Sequence, residues 1–162
     1  MKRFIGLYFL YLAALFAFLY ADTSIVSAWL NETQTKLTLY GLSVFLEPGQ
    51  LKGIDIWITP HYKIIITQAC NGMIPILLLW ASILAYPSSL FHKILWMILG
   101  YLFFSLANIA RLLMVVHFVE QKGGQANFYW AHDLLGNALL MCVGLGLFIT
   151  YIKTSNTPLP QQ

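Results

Sequence analysis

Four stretches of the sequence, residues 4–20, 72–86, 94–118 and 134–152, are runs of apolar side chains long enough to cross a lipid bilayer. A hydrocarbon core of ~30 Å takes roughly 20 residues of helix. The second run is near the lower limit of that range, so part of its flanking sequence is expected to enter the membrane with it. With 59% hydrophobic and 9% charged residues in a chain of 162, the composition belongs to the membrane class. The sequence therefore predicts an all-α integral membrane protein, a bundle of about four transmembrane helices forming a single membrane domain over residues 1–162.

Charge placement predicts the orientation. Lys2 and Arg3 precede the first run as they would in a signal peptide. However, no small-x-small cleavage site follows, and Phe16, Phe18 and Tyr20 fill its end, so an uncleaved anchor is expected. With the N-terminus in the cytoplasm, the inside segments 1–3, 87–93 and 153–162 carry Lys2, Arg3, Lys93 and Lys153 and no acid. Asp22, Glu32, Glu47, Asp55, Glu120 and Asp133 then fall outside, which is the asymmetry of the positive-inside rule. The net charge of +3 reports topology, and no nucleic-acid partner is expected.

Most of the outside part is residues 21–69. Val26, Leu30, Thr33, Leu37, Tyr40 and Val44 recur at helical spacing, which predicts an amphipathic helix lying on the membrane surface. Beyond "EPGQ", the β-branched runs either side of Pro60 and His61 in "GIDIWITPHYKIIITQ" predict a short β-hairpin that feeds into Cys70. The tail 153–162 is expected to be disordered.

Polar side chains within membrane segments are costly, so each is a functional candidate. Counting from Lys93, Arg111 lies about 27 Å up its helix at 1.5 Å per residue, and Asn108 shares its face. His132 lies roughly 30 Å above Lys153 on the last helix, and Cys70 heads the second run. A thiol, a guanidinium and an imidazole thus reach one membrane level. A cysteine at a helix N-terminus favours thiolate. An imidazole can take the thiol proton and return it to a leaving amine, while an arginine can hold an oxyanion without changing protonation. Asn71 and Gly72 leave room for backbone N–H donors beside the sulfur, and Asn108 is placed to orient the guanidinium. Together these parts suit acyl transfer through a thioester. Structural readings stand beside them: Arg111 snorkelling to the interface, His132 simply opening a helix, Asn108 bonding a neighbouring helix. Cys142 in "LLMCVGLGL" reads as inert, and His61, His92 and His117 read as turn, cytoplasmic loop and helix surface.

The pattern resembles the exosortase/archaeosortase family of integral-membrane transpeptidases: "ACNG" at 69–72, "NIAR" at 108–111 and "AHDLLGN" at 131–137. The resemblance covers about residues 40–152, including the approach "YGLSVFLEPG". It implies Cys70 as nucleophile, Arg111 as the residue that positions substrate or stabilises the transition state, and His132 as base. Asn71, Gly72 and Asn108 would be supporting residues. The family's residue after the cysteine is usually Ser, and here it is Asn71. Many exosortases carry more membrane helices, and some a soluble C-terminal extension. This chain is similar in size to the exosortase H subgroup, whose targets bear an IPTL-type C-terminal signal.

What the resemblance implies is a cysteine peptidase or transpeptidase of the bacterial inner membrane, with its site on the periplasmic side. Its substrates would be secreted proteins ending in a short motif, a membrane helix and a basic tail. The acceptor nucleophile is left open, and no cofactor or metal is expected. A non-enzymatic membrane scaffold remains an alternative, as do a thiol oxidoreductase, which needs a second reactive cysteine, and a haem-binding bundle using histidine ligands.

Overall fold

A computed structural model describes residues 2–21, 24–121 and 128–155. The chain forms α1 (Lys2–Leu19), α2 (Ile25–Ser43) and an antiparallel sheet of β1 (Leu51–Lys52), β2 (Asp55–Thr59) and β3 (Tyr62–Ile65). A 3-10 turn (Gln68–Cys70) leads into α3 (Met73–Ala85), followed by α4 (Leu90–Gln121). A π-helical segment (Trp130–Gly136) then runs directly into α5 (Asn137–Thr154).

Three helices, Lys2–Leu19, Leu90–Gln121 and Trp130–Thr154, are long and apolar enough to cross a membrane. The fourth expected span, α3, has 13 residues, about 20 Å of helix. It falls short of a full crossing, yet it is the innermost helix. Met73, Ile76, Leu77, Ala81 and Ile83 are wholly buried, as befits a helix apolar on all sides. Met73, Ile76, Leu77 and Ile83 pack with Phe104 of α4 and with Leu140 and Tyr151 of α5. Inside lipid such packing rests on van der Waals fit, since tails are as apolar as leucine.

α4 behaves in the opposite way. Its 32 residues reach about 48 Å, some 18 Å more than a ~30 Å hydrocarbon core requires. The overhang carries Leu112, Val115, Val116 and Val119, which bury against Ile56 of β2, Ile64 of β3, Ile66 and Leu42 of α2. This second cluster is an ordinary water-excluding core. Hydropathy alone stops α4 at residues 94–118 because His92, Lys93, Glu120 and Gln121 cap the apolar run with polar side chains. His92, expected in a loop, lies in the first turn of α4 with its ring stacked on Tyr151, centroids 5.0 Å apart.

The hairpin is present, with Ile56 opposite Ile64 across the β2–β3 pair and Pro60–His61 at its turn. It gains β1, which pairs Leu51 with Ile56. Two residues are too few to leave a period in sequence. The disordered tail is expected from residue 153, but Lys153 and Thr154 complete α5. Residues 156–162 lie outside the described residues, as does Asp22.

α2 has the expected helical stripe, and the structure shows which way it faces. Val26, Leu37, Tyr40 and Val44 point away from the protein and are exposed. The opposite stripe of Ser27, Asn31, Gln34 and Thr38 is buried. With Asn71 and with Ser105, Asn108 and Arg111 of α4, these residues form a buried polar layer between the two apolar clusters. Gln34 Nε2 donates to the Asn71 carbonyl at 3.1 Å and to Ser105 Oγ at 3.2 Å. Replacing Gln34 with Leu strands that carbonyl and is expected to cost about 1–3 kcal/mol. Thermal unfolding in detergent checks this, with the outward-facing Leu37→Gln variant as the comparison that stays near the parent.

Candidate active site

The turn before α3 has to be tied down, because the first N–H groups of a helix have no partner within it. Asn71 does this locally: its Oδ1 accepts from the Met73 N–H at 2.9 Å, and its Nδ2 donates to Asn31 Oδ1 and Thr35 Oγ1 at 3.4 and 3.5 Å. Gly72 adopts φ +82°, a conformation side chains disfavour. A Cβ there would also lie 2.9 Å from Asn108 Cγ. Gly72 thus both turns the chain and lets Asn108 approach. Asn108 Nδ2 donates to the Cys70 carbonyl at 2.9 Å. The expectation that Asn108 orients the guanidinium is corrected: its amide holds the cysteine's backbone, because the αL turn at Gly72 brings that carbonyl over the Asn108 face. Asn71 likewise serves as an anchor for the turn.

The three side chains expected at one level meet. Cys70 Sγ lies 3.6 Å from His132 Nε2, and Arg111 Nη2 lies 2.8 Å from the same nitrogen. His132 Nδ1 lies 2.7 Å from Asp133 Oδ1. A guanidinium only donates and a carboxylate only accepts. The ring is therefore the Nδ1–H tautomer, with its lone pair on Nε2. The Phe128 ring stacks on the imidazole, with centroids 5.0 Å apart and planes 11° apart. The π-helical segment presents His132 and Asp133, and Gly136 within it leaves space for arginine: a Cβ there would lie 2.9 Å from Arg111 Cγ.

Arg111 is buried at 4% exposure. No carboxylate comes within ion-pair distance of its guanidinium among the described residues. Nη1 donates to Asn137 Oδ1 at 3.5 Å, and Nε is buried without a partner. A buried cation lacking a counter-charge is costly, and a negative charge or strong acceptor placed beside it would offset that cost. No group of His, Cys, Asp and Glu that could hold a metal occurs among the described residues.

A family model described as Transmembrane exosortase (EpsH) matches residues 2–149. The chain belongs to the exosortase family. No curated protein and no solved structure matches it. The match extends N-terminally beyond the motif-bearing part, so α1 and α2 belong to the exosortase unit as well.

The motif reading omits four exosortase residues that the structure brings to the site. Asp133 follows His132 directly, Asn137 closes "AHDLLGN", and Thr67 Oγ1 donates to Cys70 Sγ at 3.7 Å. Gln34 belongs to the stripe Ser27, Asn31, Gln34, Thr38, whose spacings of four, three and four are as helical as those of the apolar stripe. That polar periodicity was available in the sequence. Cys142 is exposed on α5, ten residues beyond His132 in sequence and so about 15 Å along the helix.

The His132 imidazole, 3.6 Å away, pairs with the thiolate once it has taken the proton, and this holds the Cys70 thiol down at about 7, from an ordinary value of 9.0. Partial burial opposes this, and the Thr67 hydroxyl adds to the lowering. Thiolate therefore accumulates as pH rises through 7 instead of 9. In a Cys142→Ala background, the iodoacetamide reaction of Cys70 is expected to show an inflection near pH 7. His132→Ala should move it upward and slow the reaction at pH 7 about tenfold, after allowing for the greater intrinsic nucleophilicity of a more basic thiol.

Proposed function

We propose that this chain is a cysteine transpeptidase or peptidase that cleaves the C-terminal sorting signal of secreted proteins at the outer face of the bacterial inner membrane. The observation that carries the reading is the convergence of Cys70 Sγ and Arg111 Nη2 on His132 Nε2, at 3.6 and 2.8 Å. The cysteine comes from the turn before α3, the arginine from α4 and the histidine from the π segment. The proposed topology places the N-terminus in the cytoplasm and Cys70 on the periplasmic side.

Nε2 has one lone pair, and in the resting geometry Arg111 occupies it. When the substrate's scissile carbonyl offers oxygen as a better acceptor, the guanidinium turns to that oxygen and frees Nε2 for the thiol proton. The thiolate then attacks the carbonyl carbon, and the resulting oxyanion supplies the negative charge that Arg111 lacks. Asp133 keeps the ring in the Nδ1–H tautomer and offsets the imidazolium charge. The C–N bond breaks, His132 returns its Nε2 proton to the leaving amine, and a thioester remains on Cys70. An amine or water, losing its proton to His132, attacks the thioester and restores the thiol.

The alternative of a dithiol oxidoreductase is disfavoured by Cys142, which lies about 15 Å down its helix from the level of His132. A scaffold role shares the topology and differs in chemistry, which gives the test. A reporter ending in an IPTL-type motif, a membrane helix and a basic tail is incubated with membranes containing the protein. The parent chain is expected to release the C-terminal helix and to form a hydroxylamine-sensitive adduct on Cys70. Cys70→Ala should abolish both, whereas normal processing by that variant would rule the mechanism out. Arg111→Gln, which keeps the side chain's bulk but not its charge, is expected to slow the acylation step by about 10²–10³.

A further inference from the structure

A groove of about 390 Å³ opens between α1, α3 and α5. Its head is made by Ala69, the residue before Cys70, with Arg111 and Asn137, and its far end by Tyr8 and Phe148. The walls between are apolar save for Ser82 and face outward: Leu78 of α3 is 38% exposed, and Met141 and Leu145 of α5 are 63% and 56% exposed. From Asn137 to Phe148 the α5 wall runs eleven residues, about 17 Å or three helical turns.

We propose that this groove docks the membrane helix of the substrate, with the backbone just above that helix delivered to Arg111 and Cys70. The inference rests on the proposed function and assigns the surface that selects the substrate. Two observations point to a peptide helix as occupant. First, the groove's head reaches Ala69, the residue before Cys70, and Arg111, which bonds His132, so whatever lies in its length has its next atoms close to the thiol. Second, Arg111 is more than nine-tenths buried, lines the groove head, and carries an Nε with no partner. A backbone carbonyl of the extended segment that precedes the substrate's helix, outside any helical ladder, is an acceptor that such a donor lacks. The exposed walls let a helix already in the bilayer enter sideways, burying three turns of one face at i, i+3, i+4 and i+7 spacing without passing through water.

A second apolar pocket gives the control. It has about 380 Å³ and is lined by Trp80, Ile94, Met97, Ile98 and Tyr101, with no residue of the thiol site. Ile98 lies thirteen residues below Arg111 and Leu145 thirteen below His132, so the two sit at similar depth on α4 and α5. The test uses the full chain with Cys70→Ala and Cys142→Ala, so that substrate is retained and no native thiol competes. Leu145→Cys or Ile98→Cys is added, and single cysteines are scanned through the first three turns of the reporter's membrane helix.

Oxidation is expected to join Leu145→Cys to the reporter with helical periodicity along the scan, at least five times more efficiently than Ile98→Cys. Equal or stronger crosslinking at Ile98→Cys overturns the docking assignment. So does crosslinking at neither position, the result expected if phospholipid alone fills the groove. Failure of the underlying mechanism is read separately: the parent chain then forms no Cys70 adduct with the same reporter, whichever face crosslinks.

Discussion

A helix of thirteen residues cannot cross a bilayer, and α3 is both that helix and the one most enclosed by its neighbours. Its head therefore ends about 10 Å short of the length a full crossing takes. The space above it must be filled by something other than lipid-like side chains, because the open end of a helix presents N–H groups that need acceptors. Asn71 Oδ1 accepts one of those N–H groups, from Met73, and the polar layer of α2 and α4 satisfies the carbonyls and the Asn71 amide of the turn that leads in. Gln34, Asn31 and Asn108 are wholly or nearly wholly buried, and each bonds backbone or side chain of the chain leading into α3. The thiol is set where it is because a short helix needs its terminus completed.

The same boundary explains how a cation can be tolerated. Arg111 lies between Phe104 of the membrane cluster and Leu112 of the outer one, on a helix continuous through both. Packing on two sides holds α4 rigid, so the helix carries the arginine to this level without an ion pair. Its resting partners are neutral: the Nε2 lone pair of His132 and the side-chain oxygen of Asn137. Neutral partners compensate a buried charge only in part, and the deficit is available to whatever anion develops beside the sulfur. Electrostatic preorganisation of this kind acts most strongly where water is scarce.

Much of this arrangement was legible in the sequence, for identifiable reasons. Depth counting worked for Arg111 and His132 because α4 and the last helix are regular enough for 1.5 Å per residue to hold. The hairpin was legible from β-branched runs around Pro60. The reading fell short where one period serves two purposes. The Val26–Val44 stripe reads as the feature of α2, while the polar stripe opposite it, which faces the site, carries equal periodicity. Spacing pairs Asn108 with Arg111 because they share a helix face, but φ at Gly72 decides which carbonyl comes within reach, and no sequence spacing encodes that. Asp133 and Asn137 were within the quoted motif without a role, since a π segment changes which neighbours share a face.

That π segment, Trp130–Gly136, has a wider meaning. An i→i+5 pattern closes each hydrogen bond over one more residue than the α-helix below it, so it works as a phase shifter within a single rod. The azimuth of His132 is set independently of the face that Met141 and Leu145 present to the bilayer. Side chains along α5 can therefore drift, and with them whatever the lipid-facing surface accommodates, while the imidazole stays aimed at the sulfur.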